Sequence, residues 1–187
     1  MKFFPKNCER LLILRPSVVV SRGINDRQFA RSILWFIPIV AKLGMIPVNK
    51  DSQIDIVGVD YVTDCLIKLF ELNIGSGFYN ISAGIPHSVK VGEIADIVYR
   101  KTGTQIKFVP QRVWSDMKRK TTRSYLRLMR AVEYYTPFIE MSVVYSTKKI
   151  RALLGNETPK CSPFTEYCEA FLDLISGNEA ILESENP

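Results

Sequence analysis

Leu11-Leu12-Ile13-Leu14-Arg15-Pro16-Ser17-Val18-Val19-Val20 is an almost continuous apolar run, interrupted only at Arg15-Pro16-Ser17 and rich in valine towards its end. A strand of a parallel sheet, covered on both faces, reads this way because apolar side chains are wanted at successive positions rather than alternate ones. On either side of that reading hangs the fold class.

Downstream, strand and helix patterns alternate. Residues 26–43 carry helical spacing, with a kink or stop expected at Pro38. Gln53 to Val59 reads as a short strand with Ile54, Ile56 and Val57 as its apolar members. Asp60 is then placed to cap a helix whose inner face carries Val62, Cys65, Leu66, Leu69 and Phe70, with Gly75 and Gly77 marking its stop. Phe78 to Ser82 is a further strand. Val91 to Thr102 is an amphipathic helix with Ile94, Ile97 and Val98 inward and Gly103 after its end. Ile106 to Val109 is strand-like, and a long helical stretch from Val113 to about Tyr135 is expected to break at Pro137. Thr147 can cap a helix through Leu154, and Pro163 opens a last one over residues 164–175.

This alternation predicts an α/β protein: a partial Rossmann-type parallel sheet, with strands near 11–20, 53–58 and 78–82, plus a mostly helical subdomain. Residues 1–177 read as one domain and residues 178–187 as a frayed tail.

The chain has 187 residues, 47% hydrophobic and 24% charged, which fits a globular protein and not a disordered one. Its net charge of +6 is spread from Lys2 to Lys160. The densest run, Lys118-Arg119-Lys120 with Arg123, Arg127 and Arg130, falls in a helical pattern and reads first as a solvated face. An anion-docking surface comes second, and no nucleic-acid partner is expected. Cys8, Cys65, Cys161 and Cys168 form no Cys-x-x-Cys pair. Neither a disulfide framework nor a zinc site follows from them, so a reducing cytoplasm is the expected location. His87 is the only histidine, which leaves no multi-histidine metal site. The apolar stretch 33–48 is interrupted by Pro38, Lys42, Gly44 and Pro47, too broken for a transmembrane span.

Catalytic constellations are sparse. Gly75-Ser76-Gly77 is the only Gly-x-Gly, lacks a third glycine and follows a helix, so it reads as a turn and not a phosphate cradle. Asp55, Asp60 and Asp64 suit strand ends and caps better than paired acid–base work. Trp35 and Phe36 suit a core or a cleft wall.

Three segments in order, Leu14-Arg15-Pro16-Ser17-Val18-Val19, Ile54-Asp55-Ile56-Val57-Gly58-Val59-Asp60-Tyr61-Val62 and Phe78-Tyr79-Asn80-Ile81-Ser82, resemble the C-terminal half of extended short-chain dehydrogenase/reductases, the epimerase/dehydratase superfamily. The Arg-Pro-Ser before two valines, Val59-Asp60-Tyr61-Val62, Tyr134-Tyr135-Thr136-Pro137-Phe138 and Tyr145-Ser146-Thr147 look most like the fatty-acyl-CoA reductase and thioester reductase branch.

The resemblance spans roughly residues 9–175 and implies several things. The complete enzyme would use NAD or NADP, and backbone at Pro16, Ser17 and Val18 would hold the nicotinamide carboxamide. Ser21 and Arg22 would border the substrate cleft, although the family's usual glycine is displaced to Gly23. Substrates would be acyl thioesters on coenzyme A or an acyl carrier protein. The N-terminal cofactor-binding half would be missing, so this chain would bind no cofactor by itself, lack catalytic residues, and associate with an N-terminal half or with itself. Ser142, Tyr145 and Lys149 have the spacing of the family's catalytic trio but follow the cofactor strand instead of preceding it, and a helix starting at Thr147 would separate the last two. Two other readings stay open: a fragment of a nucleotide-sugar epimerase or steroid dehydrogenase, and a non-catalytic interaction module derived from such an enzyme.

Overall fold

The computed structural model describes residues 11–21, 33–166, 168, 169 and 172. The decisive stretch is extended, as its apolar run demands, but as two strands: β1 (Leu12–Pro16) and β2 (Val18–Val20). The division falls at Ser17, just after a proline that has no N–H for a ladder. The two pieces then take different partners. β1 runs parallel to β6 (Gly77–Ile81), with Leu12 opposite Gly77 and Pro16 opposite Ile81. β2 runs parallel to β5 (Ile56–Gly58).

The expected strand at 53–58 is also divided, at Asp55. Its first part, β4 (Gln53–Ile54), pairs antiparallel with β7 (Val89–Lys90). A short parallel pair of β3 (Met45–Ile46) and β8 (Lys107–Phe108) completes the strands. Three of the four pairings are therefore parallel, and helices intervene between the strands: a partial Rossmann-type α/β fold.

α1 (Phe36–Leu43) follows a 3-10 turn at Ile33–Trp35. Pro38 neither kinks nor stops it. It is the third helical residue, where a backbone N–H would have no partner in the helix anyway. Residues 26–32 of the expected helix lie outside the described residues.

α2 (Val59–Glu71) starts two residues earlier than a cap at Asp60 would give, with Gly58 at the cap and Asp60 in the first turn. There its carboxylate meets the positive end of the helix dipole. Tyr61, Cys65 and Leu69 form the buried stripe, whereas Leu66 and Phe70 face outward, Phe70 at 82% exposure. The helix rolls so that its 61/65/69 row seats on β6, which a chain with apolar residues at both phases could not announce.

α3 (Val91–Thr102) has the expected bounds, inner face and terminal Gly103, whose φ of 72° suits a residue without Cβ. The long stretch from 113 is two helices, α4 (Gln111–Lys120) and α5 (Arg123–Glu140), broken at Thr121-Thr122. A buried-side clasp, Lys118 Nζ to Glu133 at 2.5 Å, holds the pair together.

Pro137 does not break α5. Thr136 and Ile139 on either side of it are buried, and α5 lies along α1. That packing offsets a helical proline's cost of about 3 kcal/mol. α6 (Lys148–Leu154) follows Thr147 and ends at Gly155 as expected. Residues 165, 166, 168, 169 and 172 are helical, in keeping with the last helix, and 178–187 lie outside the described residues.

Two apolar cores result. The larger joins α1, α3 and α5 with Trp114, Phe164 and Cys168. The smaller joins β5, α2, β6 and α6 through Val57, Leu69, Ile81 and Ile150. Among the described residues no helix is long and apolar enough to cross a membrane.

Candidate functional site at the break between β1 and β2

The two interrupted strands are interrupted side by side. Val18 donates its N–H to the Asp55 carbonyl at 3.1 Å, so the breaks at Ser17 and Asp55 meet. Where both ladders lapse, a pocket of about 250 Å³ opens. Pro16, Ser17 and Val18 form one wall, Gln53, Ile54 and Asp55 the second, and Phe138, Val143 and Tyr145 the third. All three residues expected at the cofactor end of the strand thus line one cavity.

Their backbone is less available than the sequence implied. Ser17 donates its N–H to Ile81 at 2.9 Å, Val18 is occupied as above, and Pro16 has no N–H. These two N–H groups are taken because β6 and the β4–β5 corner continue alongside the strand end. What the wall offers instead is the Ser17 hydroxyl. Its Oγ is buried and, among the described residues, has no hydrogen-bond partner. A buried polar atom without a partner costs roughly 1–3 kcal/mol, and a bound group is one way to recover it.

Asp55, only 4% exposed, sits under the pocket and ties its walls together. Its carboxylate accepts the Ser82 hydroxyl at 2.5 Å, the Ala83 N–H at 2.9 Å and the Tyr145 N–H at 3.0 Å. Three donors satisfy the charge, so Asp55 holds β5, the end of β6 and the segment after α5 in register. The same segment is pinned a second time, where Gln53 donates its N–H to Ser142 Oγ at 2.7 Å.

Ser142, Tyr145 and Lys149 each make contacts of their own. The Ser142 hydroxyl serves β4, Tyr145 meets Asp55 through its backbone, and Lys149 turns away. The Lys149 ammonium donates to the Phe78 carbonyl at 2.9 Å and lies 4.4 Å from the Tyr79 ring centre. α6 begins between Tyr145 and Lys149. Ser21 stands half-buried just beyond β2 and is not part of the pocket wall. Arg22 lies outside the described residues.

Sequence reasoning missed the third wall. Phe138, Val143 and Tyr145 remain 40–47% exposed. Their signal was apolar residues continuing past a helix end without helical period, which looks the same whether they line a cavity or sit on the surface.

The buried thiols take no part in this site. Removal from water pushes Cys65 and Cys161 up to about 11 and Cys168 up to about 12. Such thiols stay protonated and inert. The arginines of α5 lie on its solvent side: Arg123, Arg127 and Arg130 are exposed, more than a helical turn from Phe138.

A last feature is the free side of β1. Among the described residues it is paired only with β6. Beside it a second hollow is lined by Leu12, Leu69, Phe70 and Ile74.

No protein-family model and no curated protein matches the chain. Solved structures do, and what they share with the chain is its partial Rossmann-type fold, first that of an epimerase. A Burkholderia cenocepacia protein classed as an epimerase superposes with a TM-score of 0.52 at 16% identity, over 92% of this chain and 47% of that one. More particularly, the chain has the fold of part of a reductase domain. The terminal R domain of the myxalamid PKS-NRPS pathway gives a TM-score of 0.67 at 16% identity, over 89% of this chain and 43% of that one. The thiolation-reductase di-domain of an archaeal non-ribosomal peptide synthetase gives 0.66 at 16%, over 91% and 36%. The chain therefore spans less than half the length of each of these three structures.

Proposed function

We propose that this chain is the substrate-binding and sheet-completing part of an NAD(P)-dependent reductase acting on acyl thioesters. The observation that carries the reading is the unpartnered Ser17 hydroxyl in the pocket at the β1–β2 break. In doubly wound sheets ligands bind beyond the carboxyl ends of strands, and this pocket lies at such an end. It holds about 250 Å³, below the ~300–1,000 Å³ of whole-ligand sites, so it suits one ring with a polar substituent and not a dinucleotide. A nicotinamide end fits: Ser17 Oγ would bond its carboxamide, and Pro16 and Val18 would flank it. The cofactor would supply the hydride. The chain's own contribution is to position that ring and to keep water off it with Phe138 and Val143.

The likeness in fold to two reductase domains favours the thioester reading over the epimerase reading. Neither Tyr145 nor Lys149 is arranged as a proton donor pair, which supports inactivity of the chain by itself. The open side of β1 supports a further polypeptide in the assembly. An unpaired parallel strand invites another strand, from a cofactor-binding half or a second copy.

The reading is tested by titrating the ¹⁵N-labelled chain with nicotinamide mononucleotide. Shifts confined to residues around Ser17, Val18 and Asp55, and lost in Ser17→Ala, are the expected result; adenosine monophosphate should produce none. Micromolar binding of NADPH by the isolated chain, or turnover abolished by Tyr145→Phe, would refute the account of an incomplete enzyme.

A further inference from the structure

A second cavity, larger than the first, lies at the other end of α5. It encloses about 560 Å³ between α1, β3, α4 and the start of α5, within the ~300–1,000 Å³ of small-molecule sites. It shares no residue with the pocket at Ser17. Along α5, the nine residues from Met129 to Phe138 put the two about 13 Å apart at 1.5 Å per residue. Whatever binds here is therefore separate from the reading of the first pocket and does not depend on it.

The chemistry of its wall is divided. Leu43, Met45, Met117 and Met129 make an apolar lining, and three methionines let it adapt to an irregular or flexible chain. Lys120, Thr121 and Thr122 line the part where α4 passes into α5. Lys120 is exposed and, among the described residues, has no carboxylate partner, although its two neighbours do: Lys118 pairs with Glu133, and Arg119 with Asp116. No acidic residue lines the cavity, and none stands in the first turn of α5. The positive end of that eighteen-residue helix and the Lys120 ammonium thus add at one side of an apolar hollow whose lining carries no carboxylate.

We propose that this cavity binds a long-chain carboxylate, the alkyl chain against the methionines and the head group at Lys120. Charge complementarity selects the occupant. A cationic amphiphile would meet Lys120 as a like charge, and a purely apolar ligand would leave the ammonium unused.

Calorimetric titration of the intact chain with dodecanoate, kept below its micelle concentration, tests the assignment. One equivalent should bind. Lys120→Glu should weaken it about fivefold or more, near the upper limit for one exposed ion pair. Met117→Asp, which sets a carboxylate in the apolar wall, should weaken it more than about tenfold. Dodecyltrimethylammonium, with the same tail and opposite head, should bind at least about tenfold less tightly. Met117 is 38% exposed, so the variant should fold, which a melting curve checks; Tyr125→Glu, at a position 45% exposed, replaces it if not. No binding, uptake of several equivalents as by a detergent, or variants that bind like the parent chain would overturn the proposal.

Discussion

Asp55 offers the sharpest test of how the site is held. Replacing it with alanine removes the acceptor for three donors at once. The Ser82 hydroxyl has an alternative, because the Tyr145 carbonyl lies 2.9 Å away. The Ala83 N–H has none, since Ala83 is fully buried, and the partly buried Tyr145 N–H loses its partner too. At about 1–3 kcal/mol for each buried group left unsatisfied, Asp55→Ala should cost about 3–5 kcal/mol. That is a large share of the ~5–15 kcal/mol a domain has. Asp55→Asn keeps one oxygen for Ala83, and its amide can donate to Ser82 once that hydroxyl turns to Tyr145. Only the Tyr145 N–H is then orphaned, so the cost should fall to about 1–2 kcal/mol. Urea unfolding with an unchanged m-value measures both numbers. Amide exchange at Tyr145 should accelerate in both variants while α3 stays protected. Equal costs for Asn and Ala, or unchanged exchange at Tyr145, would show that the carboxylate does not hold the third wall.

Alkaline pH should destabilise the chain. Cys65, Cys161 and Cys168 keep their protons in the fold well above their ordinary value of 9.0, whereas unfolding frees them to ionise. Their contribution is complete below pH 9 and declines from there to about pH 11–12, by up to about 1.4 kcal/mol per pH unit for each thiol; a urea midpoint that stays constant from pH 8.5 to roughly 10.5 would refute this. Gly84→Ala should cost about 1–2 kcal/mol from its φ of 69° alone, and the new Cβ would meet Thr147, the cap of α6, at 3.3 Å. A melting temperature unchanged by that substitution would count against the tight turn.

The sequence by itself determined the fold class and most of the elements. Val91 to Thr102 is legible to the residue because its apolar period, its inner face and Gly103 all agree, and such local consistency is what makes a segment readable. The valine run at 18–20 and the Arg15-Pro16-Ser17 interruption likewise marked a strand, whose break lines a pocket. Tertiary structure decided matters that depend on neighbours distant in the chain. Pro137 stays helical because α5 packs along α1, so burial outweighs a local breaking signal. α2 turns Tyr61 inward with Cys65 and Leu69, and leaves Leu66 and Phe70 outside, because β6 and α6 offer that row a seat. The divisions at Ser17 and Asp55 exist only because each half-strand finds a different partner. The pocket exists because those divisions meet, and Asp55 joins to it a segment ninety residues away. Hydrogen bonds and packing between remote residues leave no periodic trace in a sequence, so the site's address could be read from it but not its walls.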